Sequence, residues 1–168
     1  MENQKSLVIG VPAETAAGET RVALTPETAK KLIAQGHALR IQAGAGVAAS
    51  VPDEAYAAVG VQLVNAEQAW ASDLVLKVRA PEAAETSLIK AGSTVVGMLE
   101  PFNREGLERL AAAGATGFAL EAAPRTTRAQ SMDVLSSQAN IAGYKAVMLA
   151  GTPINMRFSS CACLFLSE

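Results

Sequence analysis

The amino-acid sequence predicts an α/β fold: a doubly wound, mostly parallel sheet of the Rossmann-like or flavodoxin-like kind, with a helix leading out at its C-terminal end. Three observations carry that reading. Short β-rich runs alternate with helical patterns along most of the chain, the order in which parallel βαβ units are written. Half of the 168 residues are hydrophobic while only 4% are aromatic. Alanine and glycine supply much of that apolar count, which suits helices packed closely on a sheet. The punctuation between runs, finally, is made of helix caps.

SLVIG is the first strand. A helix follows from Pro26 to Gln35: Thr25 can accept a free N–H of its first turn, proline suits its first position, and Gly36 follows its last turn. ALRIQ is the second strand, Asp53 to Val59 a second helix ended by Gly60, and VQLV a third strand. DLVLKV and STVVGML give two more strands. Asn103 can cap a helix from Arg104 to Ala113, Gly114 ends it, and ATGFAL is the last strand. A polar loop, EAAPRTTRAQ, then enters SMDVLSSQANIAGYKAVMLA, a helix with a long apolar stripe, Ser131 as its cap and Asp133 in its first turn. Residues 1–130 thus form one α/β domain and residues 131–150 a long connecting helix. Residues 151–168 have no helical period and read as a non-native tail, truncated or frame-shifted and poorly ordered.

With 14 basic and 16 acidic residues and a net charge of -2, the chain offers no basic stripe for nucleic acid. No window has the length of a signal peptide's apolar core or a spanning helix, so the chain is expected to be soluble and cytoplasmic. Cys161 and Cys163 are one residue apart with no histidine near, which indicates neither a disulfide framework nor a zinc site.

Four places are candidate sites. Gly44 and Gly46 make a G-x-G after a strand, but Ala49 stands at the third glycine position, Pro52 interrupts any immediate helix, and no acidic residue ends a strand about 20 residues on. A structural glycine turn is the better reading. His37, the single histidine, sits in a helix-to-strand turn where an imidazole is usually only solvated. Lys77 and Arg79 lie at the carboxyl end of a parallel strand, where open α/β sheets place ligands, and Arg21 is able to converge there; equally, all three can simply face water. The densest polar cluster is PRTTRAQSMDVLSS, with Arg125, Arg128, Gln130, Asp133 and Ser136. Asp133 and Ser136 are three apart and share a helix face. Such a set can hold a flat carboxamide, which needs an acceptor and donors in fixed places. Helix capping accounts for Ser131 and Asp133 but not for Arg125 or Gln130.

GVPAETAAGETRVALTP, DLVLKVRAP and PRTTRAQSMDVLSSQANIAGYKAV together resemble the N-terminal region shared by alanine dehydrogenases and the alpha subunit of proton-translocating NAD(P) transhydrogenases, over residues 7 to about 150. The last segment is similar to the transhydrogenase loop that holds the NAD(H) nicotinamide. By that resemblance Arg125, Gln130, Asp133 and Ser136 are the cofactor contacts. Alanine dehydrogenases are similar over Arg21 and Lys77, which in that family bind substrate, but they carry a catalytic histidine where this chain reads VVGMLEPFN. Deamination needs a proton acceptor, whereas hydride exchange between two nicotinamides moves no proton at the reacting carbon.

The resemblance implies hydride transfer from NADH to NADP⁺ in a parent complex. NADP(H) would sit on another subunit or domain, the chain would pair with a second copy, and membrane subunits would hold it peripherally at the inner membrane. Because the family continues into a dinucleotide-binding domain, the chain alone is expected to bind NADH weakly or not at all and to be inactive. The alternatives are an alanine dehydrogenase-like enzyme and a non-catalytic α/β module.

Overall fold

A computed structural model describes residues 6–123, 126 and 133–151. The chain divides into two compact units, Met1–Ala123 and Pro124–Glu168.

The first unit is a six-stranded sheet: β1 (Val8–Val11), β2 (Ala38–Gln42), β3 (Gln62–Val64), β4 (Leu74–Leu76), β5 (Thr94–Gly97) and β6 (Thr116–Ala119). Every pairing is parallel, and the spatial order is β3-β2-β1-β4-β5-β6. The order reverses between β1 and β4, so the loops after these two strands leave in opposite directions and open a crevice at their carboxyl ends.

Two helices arise where the sequence reading placed them: α1 (Pro26–Ala34), with Thr25 accepting from the Thr28 N–H, and α5 (Arg104–Ala112), with Asn103 accepting from Gly106. The second predicted helix is shorter than expected, α2 (Asp53–Ala57). Two more helices were not foreseen, α3 (Ala66–Trp70) and α4 (Ala83–Thr86). At five and four residues neither shows a full helical period, and each is fixed by its first turn, as in the reciprocal Asn65–Gln68 capping box.

Strand side chains alternate between faces, which builds two cores. Ile9, Val11, Leu39 and Ile41 pack with Leu24, Ala29 and Tyr56 on one side. Val75 and Val95 pack with Trp70, Ile89, Leu99 and Leu110 on the other. α3 crosses the second face where β1 presents Gly10: a Cβ there would lie 1.9 Å from the Ala69 carbonyl oxygen, so only glycine admits the helix this closely.

The second unit contributes α6 (Val134–Gly151). Its cap is not where it was expected. Ser131 lies outside the described residues, and Asp133, placed by sequence in the first turn, accepts the Ser136 N–H at 3.0 Å as the capping residue. The residues beyond Gly151 also lie outside the described set. No described helix is long and apolar enough to cross a membrane.

Candidate functional site

The carboxyl edge of the sheet gathers the most buried ionic side chains described in the first unit, Glu14, Glu19, Lys77 and Glu85, with Arg21 and Arg79 beside them. Lys77 follows β4 directly, and its N–H bonds the Val96 carbonyl at 3.0 Å. Its side chain is only 1% exposed. The ammonium donates to both oxygens of Glu85 at 2.7 and 2.9 Å, lies 3.6 Å from Glu14, and sits 5.6 Å from the centre of the Trp70 ring. Two carboxylates and an aromatic face therefore surround one cation, the arrangement that lets a charge stay buried. Lys77 does not face water, and it is enclosed by protein groups.

The loop after β1 is tied to the loop after β4 by two glutamates. Glu14 accepts the N–H groups of Val78 at 2.6 Å and Arg79 at 3.2 Å. Glu19 accepts the Arg21 Nε at 2.7 Å and Nη2 at 2.6 Å, and also the Arg79 Nε at 3.0 Å. Its side chain is 5% exposed. The Arg21 guanidinium, chiefly, holds the Glu19 carboxyl down to about 2 from an ordinary 4.5, against the opposing effect of burial. The same carboxylate raises the Arg21 pKa. Of the two readings left open for Arg21 and Lys77, the structure brings both to this edge, on separate carboxylates.

Beside these ties is a cleft of about 280 Å³, bounded by the loops after β1, β4 and β5 and by α5. Arg79, Glu82, Glu100, Asn103 and Arg109 supply its polar walls. Glu100 has a left-handed backbone, φ 52°, and its N–H bonds Glu121 at 2.6 Å.

The other candidates fall elsewhere. The Gly44 N–H donates to both Asp53 carboxylate oxygens at 3.0 Å, and a Cβ at Gly46 would meet the Val51 carbonyl oxygen at 2.5 Å. The anion served by this glycine turn is thus the chain's own aspartate. His37 accepts the Leu7 N–H at 3.4 Å, just ahead of β1 and β2, at the amino edge of the sheet.

Of the four predicted cofactor contacts, Arg125 and Gln130 lie outside the described residues, as does Arg128. Asp133 and Ser136 do share a face: Ser136 Oγ donates to the second Asp133 oxygen at 2.6 Å. Sequence reading missed Glu14, Glu19, Glu85 and Arg109. Each is far in sequence from some of its neighbours at this edge; the local signals were the E-x-x-E spacing of Glu82 and Glu85 before a short helix, the E-x-R spacing of Glu19 and Arg21, and the i,i+4 spacing of Glu105 and Arg109.

Comparison with known proteins places this geometry in a lineage. Residues 10–142 match the family described as alanine dehydrogenase/PNT, N-terminal domain, and the chain belongs to that family. It is 46% identical over 154 residues to the NAD(P) transhydrogenase subunit alpha of Cereibacter sphaeroides, covering 90% of this chain and 29% of that protein. The crystal structure of transhydrogenase from Sinorhizobium meliloti superposes with a TM-score of 0.81 at 44% identity, covering 84% of this chain and 43% of that one. Alanine dehydrogenase 1 of Staphylococcus aureus is 30% identical over 144 residues, covering 85% of this chain and 38% of that enzyme. The chain thus spans about a third of the length of these curated relatives.

Proposed function

We propose that this chain is the N-terminal part of a proton-translocating NAD(P) transhydrogenase alpha subunit, and that it orients the nicotinamide of NAD(H) for hydride exchange with NADP(H) bound on another subunit or domain. The observation that carries the choice over amino-acid deamination is the place of the single histidine. His37 is at the amino edge of the sheet, opposite the ligand-bearing loops, so this chain brings no imidazole to take a proton at the carboxyl edge. The higher identity to the transhydrogenase alpha subunit than to alanine dehydrogenase supports the same reading.

The residues at the start of α6 fit a carboxamide. Asp133 fixes Ser136 through two hydrogen bonds, and with its own proton spent on Asp133, Ser136 Oγ keeps lone pairs to accept a carboxamide N–H. Arg125 and Gln130 would add donors to the carboxamide oxygen. Bound there, nicotinamide would supply the hydride; the chain's own task is to stop the ring from turning. Pairing with a second copy, and attachment at the inner membrane through partner subunits, belong to the same proposal.

The test uses the full-length alpha subunit assembled with its partners, comparing single-turnover hydride transfer with NADH affinity. Gln130→Ala and Asp133→Ala should slow transfer by on the order of 100-fold, because a displacement of about 1 Å at the reacting atoms costs that much. Affinity should fall far less, and His37→Ala should leave transfer unchanged. Parental rates in the Gln130 and Asp133 variants, or loss of transfer in His37→Ala, would refute the assignment.

A further inference from the structure

We draw no further inference here: the strongest candidate, the apolar patch that Val96 of β5 and Phe118 of β6 carry side by side on one face of the sheet, with Phe118 59% exposed, carries nothing because nothing in the structure shows what covers it.

Discussion

Replacing Lys77 by methionine isolates what its charge does, because the unbranched side chain keeps most of the volume and the contact with Trp70 while deleting the ammonium. Two carboxylates then lose their common cation: Glu85, bonded at 2.7 and 2.9 Å, and Glu14, at 3.6 Å. Removing one partner of a buried ion pair costs about 3–5 kcal/mol. Here Glu14 keeps the Val78 and Arg79 N–H groups, and Glu85 keeps that of Glu82 at 2.9 Å, which places the expected loss near 3 kcal/mol. For a unit of this size that lowers the melting temperature by roughly 10–15 °C. Thermal unfolding of Lys77→Met, Glu85→Gln and the double variant would measure it. The double variant should recover at least about 1 kcal/mol, since it also removes one stranded charge. A Lys77→Met protein that melts within about 3 °C of the parent would show that the lysine is not paired inside the fold, and would return it to the list of ligand-facing cations.

Glu19 makes the unit acid-sensitive. Its carboxyl is lowered to about 2 from 4.5, so the stability it contributes is complete above about 4.5 and is lost as the pH falls toward 2. Discounted because Arg21 and Arg79 are 36% and 51% exposed, that contribution is about 2 kcal/mol. Glu19→Gln should therefore lose about this much at neutral pH and show a flatter stability profile between pH 4.5 and 2, and an unaltered profile would count against the arrangement. Gly10→Ala should destabilise by about 3 kcal/mol or more, because its Cβ meets the Ala69 carbonyl oxygen at 1.9 Å. Gly143→Ala, with nothing within 4 Å of its Cβ, should instead raise the helix content of α6 by up to about 1 kcal/mol of stability. Chemical denaturation of both variants checks the contrast, and a tolerated Gly10→Ala would mean that α3 does not lie on β1.

The strands were legible because each carries its own signal: a short run of apolar and β-branched residues bounded by glycine or a capping residue, as in ALRIQ between Gly36 and Gly44. Caps were legible where one side chain serves its own helix, as Thr25 and Asn103 do. The cap of α6 was misplaced by two residues because SMD offers two acceptors and the sequence does not say which one the backbone turns toward its first N–H groups. Lys77 was visible as a cation at a strand end, but its burial was not, since Glu14 is 63 residues away and reaches it only after β1 and β4 pair. Arg109 was invisible for the opposite reason. On paper it is one more arginine of an i,i+4 pair, and only the folded chain shows that its Nε is enclosed.

The strand order also governs how the unit can come together. Four of the five pairings join strands that are consecutive in the chain, whereas β1 and β4 meet across 65 residues, with Ile9 opposite Leu74 and Gly10 opposite Val75. β1 to β3 can therefore form as one half and β4 to β6 as another before the seam closes. Lengthening a loop costs only about 0.6 kcal/mol per doubling, so entropy is a minor obstacle; the register is the larger one, because a slip of one residue would turn Val75 away from its core. Polar contacts at both ends of the seam bear on that register. The Val8 N–H bonds Asp73 at 3.2 Å at one end, and Glu14 bonds Val78 and Arg79 at the other. Asp73 at one end and Glu14 at the other thus act as clasps that hold the two halves of the sheet in a single alignment.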